Sequence, residues 1–250
     1  NEYIGELAAE KLLYYPTVTR EPFRNRGRIP DLIESGKLFE DIREAILAKA
    51  AELFAARGYE RSSISDLAEV CGLSRGALYH YFDSKEALLY SMLHTHVAGM
   101  LDLLREADAK GGTPLERLTR FIEAIVSINA ASQCEQAILL NDLGSLREDE
   151  QAEIKGLEQQ IVELVSQTLV ETDRSGRITR ANRKVYTMIL LGMINFTYTW
   201  YDPDAAVKPQ AFARMATDVF LNGFLTGTMT AQQTTPRQNR RAKVVARRKA

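Results

Sequence analysis

The chain is poor in the residues that build compact chemistry. It has two cysteines, three histidines and one tryptophan in 250 residues. Cys71 and Cys134 lie far apart, with no metal-like pairing, so neither a disulfide framework nor a zinc module is indicated, and a reducing cytoplasm is the expected compartment. No apolar run is long enough to span a bilayer, and the first residues lack the apolar core of a signal peptide, so no membrane partner is expected. Residue 1 is Asn rather than Met, which weakens any reading of the first few positions. The motifs of common enzyme sites are missing too: there is no Gly-rich phosphate loop and no nucleophile elbow, so no catalytic residue and no cofactor is expected. His94 and His96 could suggest a metal. Two residues apart on a helix their rings point to different sides, so both are expected at a helix surface or on a pocket wall, and no metal ligand set is assigned.

What is present is a globular, helical composition. Hydrophobic residues make up 45% of the chain, enough to bury a real core. The net charge of −1 hides an uneven distribution: seven Lys or Arg and no acid lie between Thr234 and Ala250, which leaves −8 on the rest. A neutral total does not exclude nucleic acid, because counterion release depends on local phosphate contacts.

The most informative stretch is 63–85. Ser63 and Asp66 make a capping box for a first short helix, with Ile64, Leu67, Ala68 and Cys71 on one face. Gly72 ends it in a left-handed turn and Ser74 caps a second helix, Arg75 to about Tyr81. Leu78 and Phe82 are expected to face inward, which leaves Arg75, Gly76, Tyr79 and His80 outward. That outward face suits a major groove: Arg pairs with guanine, Gly76 allows close backbone approach, and Tyr and His reach phosphates or base edges. Asp83 and Glu86 suggest a further capping box, beside Lys85, where helix amides and an ammonium could hold one phosphate. Packing within the domain is the alternative role for Tyr79 and, more so, for Tyr81.

Phe39 to Arg57 reads as an amphipathic helix under this pair, stopped by Gly58, and a long helix follows Asp83 to about Ala107. Thr113-Pro114-Leu-Glu116 announces the next. Further helices are expected at Cys134 to Leu143, Glu148 to about Glu171, Arg180 to Tyr201, and from Pro209 onward. The fold class is therefore all-α.

The segment from Ile46 to Leu89, with Ala-Ala-Glu-Leu-Phe-Ala-Ala-Arg-Gly-Tyr, Asp-Leu-Ala-Glu-Val-Cys-Gly-Leu-Ser-Arg-Gly-Ala-Leu-Tyr-His-Tyr-Phe and Ser-Lys-Glu-Ala-Leu-Leu, closely resembles the DNA-binding domain of TetR-family transcriptional repressors. The resemblance implies an N-terminal helix-turn-helix three-helix domain and a C-terminal helical-bundle domain for ligand binding and dimerisation. It places Ser74, Arg75, Gly76, Ala77, Tyr79, His80 and Lys85, with Ser63, at DNA-contacting positions. It also implies a homodimer on a palindromic double-stranded operator, formed through the last two long helices, Arg180 to Tyr201 and Pro209 to Leu225. The alternative is that their apolar stripes serve only the subunit's own core.

The stretch Leu190-Leu-Gly-Met-Ile-Asn195-Phe196-Thr-Tyr-Thr-Trp200-Tyr201-Asp-Pro203 resembles, less specifically, a TetR subgroup whose members often respond to acyl-CoA thioesters. An acyl or aryl chain needs an apolar tunnel, and Leu101, Phe121, Ile125, Leu139, Met193, Phe196 and Trp200 are candidates to line it. Arg183, with Arg180 and Lys184, is a candidate for the CoA phosphates. A non-CoA hydrophobic effector, as for an efflux regulator, and a constitutive regulator without effector remain alternatives.

These readings divide the chain into a flexible basic N-terminal extension (1–38), the helix-turn-helix domain (39–90), the effector and dimerisation domain (91–228) and a disordered basic tail (229–250). The extension carries Arg20, Arg24, Arg26 and Arg28 and is either a DNA-following arm or a solvated leader. The tail offers the same two readings.

Overall fold

The computed structural model describes residues 29–30 and 39–226, with only the backbone for 224–226. The rest of the expected extension and the basic tail lie outside the described residues. Every regular element among those described is a helix. They are α1 (Phe39–Arg57), α2 (Ile64–Cys71), α3 (Arg75–Tyr79), α4 (Lys85–Ala109), α5 (Pro114–Ala131), α6 (Gln133–Asp142), α7 (Glu148–Thr172), α8 (Arg183–Asn195) and α9 (Pro209–Thr226), with single 3-10 turns at Leu143–Ser145 and Phe196–Thr199.

Local chemistry sets most of the boundaries. Ser63 Oγ accepts from the Asp66 amide at 3.2 Å while the Ser63 amide donates to Asp66 Oδ2 at 2.8 Å. Both halves of the expected capping box are thus made. The bond to Ser63 holds the Asp66 carboxyl below its ordinary range. Gly72 closes α2 at φ +66°, its amide donating to the carbonyls of Ala68 and Glu69. Thr113 and Glu116 form the same reciprocal cap at α5, with Pro114 in the first turn.

Several boundaries differ from expectation, α8 among them starting at Arg183 rather than Arg180. Ser84, not Asp83, caps α4, accepting from the Ala87 amide at 3.0 Å. Sequence allowed either, since each has an oxygen-bearing side chain just ahead of the apolar periodicity. Helix α8 stops at Asn195 rather than running to Tyr201. There the buried Asn129 of α5 donates from Nδ2 to Ile194 O (3.3 Å) and to Asn195 Oδ1 (3.1 Å), and Thr197 Oγ1 donates to Ile194 O at 2.7 Å. Side chains thus satisfy the carbonyl that the next helical turn would have used, and the chain tightens into a 3-10 turn.

α1, α2 and α3 form the head, with α1 packed on α2 and α4, and α2 packed on α3. α4 leaves the head and packs on α5, α6 and α7; α8 lies on α7 and α5, and α9 on α5. One buried cluster runs from Ile46, Leu67 and Leu78 in the head through Leu93 and Leu101 to Phe121 and Leu190 in the body. Ile29, expected in a loose extension, is fully buried in that cluster. Pro30 lies against Gly72, 3.6 Å from the position of a β-carbon there.

Gly72→Ala would keep the space but not the backbone preference, because a side chain disfavours the left-handed region by about 1 to 2 kcal/mol. Urea unfolding is expected to show a loss of about that size; an unchanged midpoint would mean that α2 ends by other means.

Candidate nucleic-acid interface and effector cavity

Helix α3 is presented on the surface by its buried side. Leu78 and Phe82 are buried, as the spacing predicts, while Ser74, Arg75, Gly76, Tyr79 and His80 are exposed and Ala77 is half-buried. The helix itself is shorter than expected, Arg75–Tyr79. Ser74 caps it, accepting from the Ala77 amide at 3.1 Å. Arg75 donates from Nη2 to Ser65 Oγ, which props the guanidinium against the first turn of α2 and uses one of its five donors. Tyr79 is 49% exposed. Tyr81 is half-buried and stacks on Phe39, with centroids 4.7 Å apart, and His80 meets the same ring edge-on at 5.7 Å. Phe39 therefore braces the end of α3, a role that sequence alone left invisible because it lies at the outer end of α1.

Among the described residues, no close contact and no left-handed backbone requires glycine at position 76. A β-carbon there would meet only the Ser74 hydroxyl, at 4.0 Å, and its φ lies outside the left-handed region.

Lys85 has partners of its own. Its ammonium donates to the carbonyls of Tyr59 and Ser62, each at 3.1 Å, and sits 4.0 Å above the Tyr59 ring. These are the carbonyls of the turn before α2, so Lys85 ties the loop that presents Ser63 to the start of α4. Ser63 is exposed at the rim of this surface.

Two adjoining hollows lie among the described residues of the body. A small, partly open cavity of about 70 Å³ is lined by Val97 and Met100 of α4, Ile125 of α5, Gln136, Leu139 and Leu140 of α6, Glu158, Ile161 and Val162 of α7, and Leu191 and Asn195 of α8. An open groove of about 740 Å³ runs between α7 and α8, walled by Lys155, Glu158, Val162, Glu163, Arg183, Lys184 and Met188 among others. Glu158 and Val162 border both.

Of the residues expected to line an effector tunnel, Ile125 and Leu139 do line the cavity. Leu101 and Phe121 are packed in the core without reaching it, and Arg183 belongs to the outer groove, where it pairs with Glu163 at 3.1 Å. Met193, Phe196 and Trp200 do not line it: they are 37%, 61% and 59% exposed. Helical spacing placed them on one stripe with Val185, Met188 and Ile189, and that stripe faces outward. Periodicity groups residues by face; it does not say which face is covered.

Gln136, Glu158 and Asn195 were missed as cavity residues. Gln136, a polar residue inside the run Cys134 to Leu140, was the signal available. It is 2% exposed and pairs with His96, Oε1 to Nε2 at 3.2 Å. His96 is thus buried, not on a surface, and desolvation pushes its pKa down to about 4, so it is neutral near pH 7. His94 stays partly exposed, 3.5 Å from Glu153. No group of metal-binding side chains occurs among the described residues, and no described helix is long and apolar enough to cross a membrane.

Lys85→Met removes two charge-assisted bonds and is expected to lower stability by about 1 to 3 kcal/mol. An unchanged denaturation midpoint would show that the clamp contributes nothing and leave Lys85 a surface cation.

Comparison with known proteins fits this geometry. Residues 46–92 match the model described as bacterial regulatory proteins, tetR family, and residues 111–224 match the tetracyclin repressor-like C-terminal domain. A TetR-family transcriptional regulator from Bordetella parapertussis 12822 superposes with a TM-score of 0.71 at 36% identity, covering 75% of this chain and 98% of that one. AibR, solved in complex with isovaleryl coenzyme A and operator DNA, shares the fold with a TM-score of 0.62 at 24% identity, covering 71% of this chain and 96% of AibR. A different match joins 42 residues, 17% of this chain, to the ferredoxin–NADP reductase of Azotobacter vinelandii at 69% identity; the matched stretch spans only 16% of that enzyme's length. With both regulatory regions matched in order and a solved relative covered almost end to end, the chain belongs to the TetR family of DNA-binding transcriptional regulators, not to a family of enzymes.

Proposed function

We propose that the protein is a homodimeric repressor that holds a palindromic operator with two α3 helices and releases it when a small hydrophobic effector, of the acyl-CoA or aryl-CoA class, occupies the body. Gly76 carries the DNA part of this reading: an exposed glycine that no internal contact requires, set between Ser74, Arg75 and Tyr79, fits a surface approached closely by a sugar-phosphate backbone. Arg75 is the candidate for reading a base edge. Ser63, Ser74, Ala77, Tyr79, His80 and Lys85 are candidates for backbone contacts, with Lys85 sharing its ammonium between a phosphate and its two carbonyls.

The dimer rests on exposed apolar surface. Val185, Met188, Ile189, Phe196 and Trp200 from the α8 region and Met215 and Val219 of α9 are all at least half exposed, with Val219 at 66%. Contiguous apolar surface of this kind marks an interaction site, and two recognition helices read a palindrome where one reads too few bases.

The effector part rests on the adjoining hollows: a groove bearing Lys155, Lys184 and the Glu163-paired Arg183 opens beside an apolar cavity. Pockets for small molecules usually hold about 300 to 1,000 Å³, so a cavity of about 70 Å³ must open to admit an acyl chain. AibR's complex with isovaleryl coenzyme A supports the class. α6 lines the cavity with Gln136, Leu139 and Leu140 and packs on α1 of the head. Opening would therefore press α6 against the head and shift the population away from operator spacing. Release at the operator follows only if the effector binds the two states unequally.

We infer, separately, that the extension ahead of residue 46 shares ancestry with ferredoxin–NADP reductases. It is the one stretch outside the two matched regions long enough to hold the 42-residue match. A sixth of an enzyme brings no reductase activity, and the segment offers no argument for a DNA-following arm.

Gly76→Leu tests the DNA reading, because leucine favours a helix over glycine by roughly 0.5 to 1 kcal/mol and so spares the fold. Against duplexes tiled across the DNA upstream of its own gene, the expected result is an unchanged or raised melting temperature with operator affinity reduced at least about tenfold. Arg75→Ala is expected to lose about 1 to 3 kcal/mol and to relax the preference at one base position. Full affinity in both variants would overturn the assignment of α3. For the dimer, Val219→Lys is expected to yield monomers by sedimentation and to abolish operator binding; a dimer that persists would place the interface elsewhere.

A further inference from the structure

One carboxylate borders both the groove and the cavity. Glu158 is half-buried on α7, borders both hollows, and is held by no hydrogen bond or ion pair among the described residues. Lys155, one turn before it, donates instead to Gln151 Oε1 at 3.1 Å. Burial raises the Glu158 pKa, a sign that its charge is poorly solvated.

The chemistry around it is ordered. Outside lie the cations Lys155, Arg183 and Lys184. Inside lie two side-chain amides whose oxygens are already engaged: Gln136 Oε1 with His96 Nε2 at 3.2 Å, and Asn195 Oδ1 with Asn129 Nδ2 at 3.1 Å. What Gln136 and Asn195 have left for a ligand is their N–H donors. The groove thus carries three cations against the carboxylate of Glu163, which pairs with Arg183 at 3.1 Å; Glu158 borders both hollows, and the cavity adds neutral donors in an apolar wall. A ligand that fits has anionic groups outside, no negative charge at the throat, and an uncharged acceptor such as a carbonyl inside.

We propose that Glu158 is the selectivity residue of the effector site: it repels a free carboxylic acid at the throat and admits the uncharged thioester of the same acyl chain, whose carbonyl meets the amide N–H groups of Gln136 and Asn195. The proposal rests on the effector reading above. Two like charges a few ångström apart in a protein-like dielectric disfavour binding by on the order of a hundredfold. The acid and its thioester carry the same chain, so at the throat they differ by this one charge, while the CoA moiety makes its own contacts in the groove; the change between wild type and variants isolates the charge.

Calorimetry on the full chain, with butyryl-CoA, hexanoyl-CoA and benzoyl-CoA beside butyrate, hexanoate and benzoate, tests it on wild type, Glu158→Gln and Glu158→Ala. The alanine variant removes the charge without offering the acid a new donor. Melting temperature and operator affinity, measured alongside, establish that both variants are folded. The expected result is thioester binding by wild type with acids at least about a hundredfold weaker. Both variants should then narrow that gap at least about tenfold by gaining affinity for the acids, with thioester affinity retained. Thioester binding with a gap that neither variant changes would overturn the role of Glu158 and leave the effector class standing. A wild type that binds none of the thioesters would overturn the effector class itself. Binding of hexylamine by wild type, lost in both variants, would reassign the throat to a cationic ligand and overturn the proposal.

Discussion

Helix α4 carries one apolar stripe that serves two folding units. Leu88, Leu89, Met92 and Leu93 are buried near its start, and Val97, Met100, Leu101 and Leu104 further along, and all belong to a single buried cluster with residues of the head and the body. A helix of 25 residues spans roughly 37 Å at 1.5 Å per residue. Because its core side is continuous, the head has no separate floor that could slide freely over the body. Any motion in the body reaches the head through packed side chains, which are close-packed and yield little. Lys85 at the first turn of α4 adds a polar tether to the loop before α2.

The second route to the head is α6. It touches α1 on one side and lines the cavity on the other, while the buried His96 and Gln136 pair ties it to α4. A polar pair in an apolar setting is specific about partner and geometry in a way that leucines are not. The cavity, the linker helix and the head thus meet at α6, and this is the physical basis of the release proposed above.

Much of the head was legible in the sequence because its signals are local. A serine with an acid three residues on, a glycine where a helix must end, and apolar residues at three and four are short-range patterns, and Ser63, Asp66, Gly72, Ser74, Leu78 and Phe82 each sit where those patterns put them. The lining of the candidate effector cavity was not legible to the same degree. Ile125 and Leu139 line the cavity, but Met193, Phe196 and Trp200 point away from it and Gln136, Glu158 and Asn195 were not anticipated. A cavity wall is drawn from five helices, and no spacing along one helix reports what stands across from it.

The amino-acid sequence by itself determined the helical class, the order of the elements, most of the caps that bound them and the family to which the head belongs, since each depends on neighbours within a turn or two. Tertiary structure alone decided three things: which apolar face of α8 lies outward, that Lys85 is bound to two carbonyls, and that Glu158 borders both a groove and a cavity. Those depend on contacts between residues distant in sequence, where a side chain's role is set by what packs against it rather than by its own preference.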